Sequence, residues 1–171
     1  MIEIKNKQDC CGCESCYNAC PLKCITMVAD EEGFKYPHIN LKKCINCGKC
    51  ENSCPVLNAE HITNRLIKGY AAINKNLNER LQSSSGGIFP LLSKQVINNG
   101  GVVVGCAMEK DCKSAKHIII ENKNELERLY GSKYLQSNMN DVYISVKKLL
   151  ENNKKVLFSG TPCQVYGLKT F

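Results

Sequence analysis

The sequence predicts an α+β chain in two unequal parts. A small, cysteine-dense module over residues 1–57 is followed, beyond a connector at 58–67, by an α/β layer over 68–171. Three observations predict this. Ten of the 13 cysteines fall between Cys10 and Cys54, leaving three for the 117 residues that follow. Within that stretch one cysteine pattern occurs twice. Beyond it, short apolar runs alternate with helical periodicity and glycine-bearing turns.

Cys10-Cys11-Gly12-Cys13-Glu14-Ser15-Cys16-Tyr17-Asn18-Ala19-Cys20-Pro21 contains C-x2-C-x2-C-x3-C-P, and Cys44-Ile45-Asn46-Cys47-Gly48-Lys49-Cys50-Glu51-Asn52-Ser53-Cys54-Pro55 contains it again. The offset is 34 residues at all four cysteines and at the proline. Three cysteines at x2 intervals wrap a short loop around one face of a cubic iron–sulfur cluster. The fourth, followed by proline, is carried away by a short helix to the other cluster. That crossing predicts Cys10, Cys13, Cys16 and Cys54 on one 4Fe-4S cluster, and Cys44, Cys47, Cys50 and Cys20 on the second. Paired zinc knuckles would instead show C-x2-C pairs separated by a longer gap. Residues 1–57 resemble bacterial-type two-cluster ferredoxins. Between the copies, residues 25–28 and 34–39 flank an acidic turn ending at Gly33 and read as a hairpin. Cys11 and Cys24 fall outside the pattern, Cys24 as packing near a cluster and Cys11 as an unassigned thiol.

A secreted disulfide scaffold fits poorly. The cysteine count is odd, the density is confined to one third of the chain, and Glu3 stands where the basic region of an export signal would be. The chain is expected to be cytoplasmic and reduced, where clustered cysteines bind metal more often than they pair. No apolar run approaches the ~18 residues of a membrane span. Residues 1–60 carry 7 Lys/Arg against 8 Asp/Glu, whereas 61–171 carry 16 against 8. The second part thus has a basic surface suited to a phosphate-bearing cofactor or an acidic redox partner, unless it is a scattered, solvated lysine surface. Nucleic acid is disfavoured, because the lysines are dispersed and no aromatic-rich basic motif accompanies them.

In the second part, residues 68–74 read as a strand, 88–97 as a helix after Ser83-Ser84-Ser85-Gly86-Gly87, and 101–108 with 115–121 as strands. Residues 125–130 read as a short helical stretch, 141–152 as an amphipathic helix and 156–160 as a buried strand. Alternation of this kind argues for some parallel pairing. The 83–87 turn is either a simple helix start or an anion-holding one. Thr161, Pro162 and Gln164 form a capping box, N1 and N3 of a last helix. Cys163, in that helix's first turn, is biased toward thiolate and suits a redox thiol or an iron–sulfur ligand. Cys106 reads as a buried small hydrophobe and Cys112 as an exposed loop thiol.

Ser84-Ser85-Gly86-Gly87-Ile88-Phe89, Gly131-Ser132-Lys133-Tyr134-Leu135-Gln136-Ser137 and Leu157-Phe158-Ser159-Gly160-Thr161-Pro162-Cys163-Gln164-Val165-Tyr166-Gly167-Leu168-Lys169 resemble, in this order, the coenzyme F420 hydrogenase/dehydrogenase beta-subunit family. With its N-terminal two-cluster module the resemblance covers essentially the whole chain. It implies an FAD-binding α/β domain, with Ser85, Gly86, Gly87, Ser132, Lys133 and Gln136 at the flavin or substrate pocket and Cys163 as an additional cluster ligand. Because the family's catalytic region extends beyond its S-G-T-P-C-Q segment, the α/β domain is expected to be incomplete and the chain a fragment. The resemblance implies an iron–sulfur flavoprotein oxidoreductase subunit, part of a larger oxidoreductase complex, that moves electrons between an external carrier and a flavin through two 4Fe-4S clusters. The alternative is a non-enzymatic ferredoxin-type electron-transfer module with a docking appendage. Either way the expected partner is a redox protein or a small electron carrier.

Overall fold

The computed structural model describes residues 1–58 and 68–171. Apart from Asn58, the connector expected at 58–67 lies outside the described residues. The chain divides into two compact units, and the division differs from the linear one. One unit contains the described residues of Met1–Glu60 together with Met139–Ile144 and Gly160–Phe171. The other contains those of His61–Asn138 with Ser145–Ser159. The last twelve residues, read from sequence as part of an incomplete α/β domain, therefore pack with the cysteine-rich module.

In the first unit, helices α1 (Ser15–Ala19) and α2 (Lys49–Asn52) each follow one cysteine loop, and strands β1 (Ile25–Ala29) and β2 (Lys35–Ile39) lie between them. The strands pair antiparallel from Ile25↔Ile39 to Ala29↔Lys35. Their turn is closed by the Asp30 carboxylate, which accepts from the Phe34 amide at 2.9 Å and the Glu32 amide at 3.1 Å. The sequence repeat is also a conformational repeat. Gly12 and Asn46, offset by 34, both have left-handed φ (59° and 52°), and so do Glu14 and Gly48 (59° and 72°). A glycine occupies this region freely, whereas Glu14 needs an anchor. The anchor is its own carboxylate, buried and accepting from the Asn140 amide at 2.9 Å. Of the seven residues in this unit's buried apolar cluster, five are cysteines (Cys16, Cys20, Cys24, Cys50 and Cys54), with Ile2 and Ile25 completing it.

The second unit has a conventional hydrocarbon core. Strands β3 (Val102–Met108), β4 (Ala115–Ile120), β5 (Ser137–Asn138) and β6 (Val156–Phe158) form one sheet in the order β5-β4-β3-β6. The central β3–β4 pair is antiparallel and both outer pairs are parallel. Val102, Val103 and Val104 are fully buried, the signature of a strand covered on both faces. Helix α4 (Ile88–Asn98) supplies Phe89, Val96 and Ile97 against Val103, Ile120, Leu126 and Leu129. It stops at Asn99–Gly100, where Gly100 takes φ 72° and the Gly101 amide returns to Val96 O at 2.9 Å, a glycine helix stop. Helices α3 (Leu77–Leu81), α5 (Val142–Glu151) and α6 (Pro162–Thr170) complete the described elements.

One expectation is corrected. Residues 68–74 are not a strand. They are exposed up to Ile73 and, among the described residues, lack a ladder partner; one bond, from the Asn74 amide to Gly86 O at 2.7 Å, ties their end to the turn before α4. The short helical stretch expected at 125–130 is a 3₁₀ helix, Lys123–Leu129, which drops Leu126 and Leu129 into the core. The close approach of that extended segment explains Gly86. A Cβ there would lie 2.3 Å from Ala72 O, a contact that backbone must move to relieve. Gly86→Ala is therefore expected to destabilise the second unit by about 1–3 kcal/mol, read as a lowered thermal transition. An unchanged melt would mean that the 72–74 segment does not hold this position.

Candidate metal centres

Two hollows lie within the first unit. The first, about 310 Å³, is lined by Cys10, Cys13, Cys16 and Cys54, with Cys11 beside them and Ile2, Ile4, Met27 and Val56 as its apolar wall. The second, about 360 Å³, is lined by Cys20, Cys44, Cys47 and Cys50, with Cys24 beside them and Ile25 and Ile39 in its wall. The fold thus gathers the two crossed sets of four thiols that the spacing predicts, because the turn after each third cysteine carries the fourth across to the opposite hollow. Among the described residues no three His, Cys, Asp or Glu side chains converge as they would on a single metal ion. Thiols spread around a hollow match a multi-iron core, whose ligands stand off at its corners.

The local electrostatics suit anionic sulfur. Left-handed residues recur at Gly12/Glu14 and Asn46/Gly48, the backbone type from which anion-holding nests are built. Amides reach cysteine sulfur directly: Ile2 N to Cys50 Sγ at 3.2 Å, Cys24 N to Cys20 Sγ at 3.3 Å and Asn46 N to Cys44 Sγ at 3.4 Å. Burial raises the Cys20 thiol, but the amides of Cys24, Leu22 and Ile25 with the Cys24 thiol outweigh it and hold it below its ordinary value. At Cys16 the amide of Tyr17 works in the same direction but is outweighed. Burial, then the neighbouring Cys10 and Cys54, push it up to about 12. A thiol pushed up in this way, as at Cys16, must give up its proton when metal binds.

Cys11 and Cys24, which the spacing left without a role, both stand at the hollows. Cys24 Sγ lies 3.2 Å from Cys20 Sγ. Cys11 shares hydrogen bonds with the thiols of Cys13 and Cys163, and the first of these pushes it up to about 11. Cys163 does not appear in the wall of the first hollow; its thiol meets Cys11, which pushes it well above the ordinary thiol range, and its Sγ is 3.1 Å from Thr161 Oγ1. The predicted cap of α6 is present, with the Thr161 amide donating to Gln164 Oε1 at 2.9 Å.

Helix α6 is secured to the cysteine loops by groups that sequence reasoning missed. Tyr143, fully buried, places its hydroxyl 3.0 Å from both Cys13 O and Gln164 O. Ser15 Oγ lies 2.8 Å from Ser53 O and 3.0 Å from Gly167 O, and the Thr170 hydroxyl donates to Ser53 O at 2.7 Å. A Cβ on Gly167 would press on Ser15 and Tyr143 at 3.2 and 3.3 Å, which is why a glycine sits where the helix crosses the loop. None of these partners is adjacent in sequence, so no spacing signals them.

The residues expected at a flavin pocket lie in the second unit. Ser84 and Ser132 meet there, with the Ser132 amide donating to Ser84 Oγ at 2.8 Å and the two hydroxyls 2.9 Å apart. Two of the three family-like segments are thereby in contact. The remaining candidates already have internal duties. Gly86 and Gly87 face the backbone of Ala72 and of Arg80, so the space beside them is filled by protein. The Lys133 ammonium donates to Tyr130 O at 2.7 Å, Gly131 O at 3.1 Å and Arg128 O at 3.3 Å, closing the end of the 3₁₀ segment. Ser85 adopts φ 52° in the turn, and Gln136 is exposed. Cys106, expected as a buried apolar residue, is instead half-exposed, with its thiol on Ser137; Cys112 is exposed as expected.

A family model described as a 4Fe-4S dicluster domain matches residues 9–58, and a second with the same description matches residues 40–115. Both include the second cysteine motif. No curated protein matches the chain. Fold, hollows and matches together define the N-terminal region as a 4Fe-4S ferredoxin-type module, an iron–sulfur electron-transfer unit within a mixed α+β chain. Among the described residues no helix is long and apolar enough to cross a membrane.

Tyr143→Phe leaves the Cys13 and Gln164 carbonyls without their shared donor. It is expected to cost about 1–3 kcal/mol, seen as earlier thermal release of cluster absorbance than in the parent protein. Equal release temperatures would show that Tyr143 does not hold α6 to the module.

Proposed function

We propose that the chain is an electron-transfer subunit carrying two 4Fe-4S clusters, one held by Cys10, Cys13, Cys16 and Cys54 and the other by Cys44, Cys47, Cys50 and Cys20. The observation that carries this is the crossed partition of thiols between two separate hollows. Each cluster, when bound, carries one electron at a time. The protein's own part is to hold the thiolates apart, wall both sites with apolar side chains and aim amides at sulfur. Such amides favour the more negative, reduced state and raise the potential. The exposed thiol at Cys47 and the half-buried one at Cys44 put the second site nearer the surface of its unit, where an external carrier can reach it.

The crossing has its own test. Anaerobically reconstituted protein is expected to hold about eight irons per chain, and Cys13→Ser and Cys54→Ser to perturb the same cluster although they lie in different motifs. Paramagnetic resonance of the reduced proteins would show one altered signal common to these two variants and a different one for Cys50→Ser. Pairing of Cys54→Ser with Cys50→Ser would refute the crossing.

The finer reading is that the chain is a flavoprotein oxidoreductase subunit of the coenzyme F420 hydrogenase/dehydrogenase beta type, delivering electrons to FAD. Its support is the resemblance of the three segments and the contact of two of them through Ser84 and Ser132. The internal duties of Gly86, Gly87 and Lys133 weigh toward the plainer reading, an electron-transfer module with a docking appendage. Titration with FAD decides between them. Quenching of flavin fluorescence that weakens in Ser132→Ala supports the flavin subunit, and no quenching by the 171-residue chain leaves the module alone.

A further inference from the structure

The two hollows of the first unit meet the outside differently. The apolar wall of the first, Ile2, Ile4, Met27 and Val56, is buried or half-buried throughout. The second has exposed apolar residues in its wall, Met1 at 40%, Leu22 at 47% and Ile45 at 65%, beside the exposed Cys47. Charge in this unit is sorted to match. Residues 20–24 and 41–50, which supply most of the second wall, hold Lys23, Lys42, Lys43 and Lys49 and no acidic residue. Lys23 is taken up by Asp141 at 2.6 Å, and the nearby Glu51 is held by the N-terminal ammonium at 2.8 Å. Lys42, Lys43 and Lys49 are exposed and have no ion pair among the described residues. The acidic residues Asp30, Glu31 and Glu32 stand at the other end of the β1–β2 hairpin. Ile25 and Ile39 pair at the hollow, whereas the acidic turn follows Ala29, about 13 Å further along the strands. Since residues 1–60 carry 7 Lys/Arg against 8 Asp/Glu, the basic end reflects placement and not excess.

We propose that the face around the second hollow, with Leu22 and Ile45 exposed in its wall and Lys42, Lys43 and Lys49 flanking it, is the docking surface for an acidic one-electron carrier protein. The three lysines attract its carboxylates and set the orientation of the encounter. The apolar residues give that encounter a patch to cover, an exposed apolar centre with a charged rim. The hairpin turn, acidic and at the far end, repels the same carrier and so aims the module at it. This rests on the proposed function, since the electron exchanged here is that of the cluster assigned to Cys44, Cys47, Cys50 and Cys20. One electron leaves the donor and one enters the acceptor, whichever of the two is the carrier.

The test uses the full chain, reconstituted anaerobically, with an acidic flavodoxin as the probe carrier and a basic cytochrome c as its control. Carbodiimide, which joins an ammonium to a carboxylate in contact with it, is added to the flavodoxin mixture and the linked peptides are mapped by mass spectrometry. Affinities are measured by calorimetric titration. The expected result is cross-links from flavodoxin to Lys42, Lys43 or Lys49, and an affinity that falls about tenfold or more between about 0.05 and 0.5 M salt. Combining Lys42→Glu, Lys43→Glu and Lys49→Glu should weaken binding at low salt about tenfold or more. Adding Glu31→Lys and Glu32→Lys to that variant should not restore it. Ile45→Ser, which leaves the charge unchanged, should weaken binding severalfold at both salt concentrations. The proposal is overturned if the cross-links fall on other lysines, if the triple variant binds as the parent does, or if cytochrome c binds as tightly as flavodoxin. Restoration by the two hairpin reversals would also overturn it, because net charge alone would then be the cause. Iron measured on the same samples reads the cluster assignment separately. Fewer than about eight irons with the cross-links in place would sink that assignment and not the docking surface.

Discussion

A small domain ordinarily folds on the apolar surface it buries, and its margin is thin. The first unit spends most of its buried cluster on sulfur, five cysteines against two isoleucines. Thiols left as thiols contribute little cohesion there, and those pushed up by burial, such as Cys16, resist the ionisation that metal binding requires. Cohesion must therefore come from whatever fills the two hollows. Each cysteine motif contributes to both hollows, so neither loop can settle without the other. Folding and cofactor loading become one transition rather than two.

That dependence accounts for the polar scaffold around the thiols. With little hydrocarbon to fix the loops, hydrogen bonds do so. The Asn46 amide reaches Cys44 sulfur from a left-handed turn, Glu14 is held in an unfavourable backbone region by its own buried carboxylate, and Ser15 and Thr170 share the carbonyl of Ser53. Helix α6 belongs to this scaffold. The second unit, with three valines buried side by side in β3 and a packed α4, needs no such devices.

What could be read in the sequence follows from the range of the interactions. The cluster sets were legible because ligation depends on spacing within a dozen residues and because two copies 34 residues apart had to agree. The hairpin, α4, α5 and the β3–β4 pair were legible through apolar periodicity. The placement of α6 was not, since it is held by Ser15, 152 residues before Gly167, and by Tyr143, whose hydroxyl bridges Gln164 to Cys13, 130 residues before Tyr143, and such hydroxyls carry no pattern. Residues 68–74 look like a strand by composition, yet a strand needs a neighbour, and this segment finds one hydrogen bond to Gly86 instead. The glycines of the 83–87 turn read either as part of a simple helix start or as an anion-holding loop. Their neighbours show a plainer reason, close passage of backbone at Gly86 and a left-handed helix start at Gly87.

The capping box at Thr161 illustrates how a local signal can be right and still leave its purpose open. Thr161, Pro162 and Gln164 suffice to start a helix, and the helix starts there. They do not require a cysteine between them. In a cap serving only to begin a helix, Cys163 would point at solvent or pack against an apolar neighbour. It meets another thiol instead, on a helix whose glycine has been kept small so that it can approach the cysteine loop. The cap and Gly167 act together, one setting the angle at which the chain enters the helix and the other its depth. Both would be superfluous if the end of the chain were only a covering for the module.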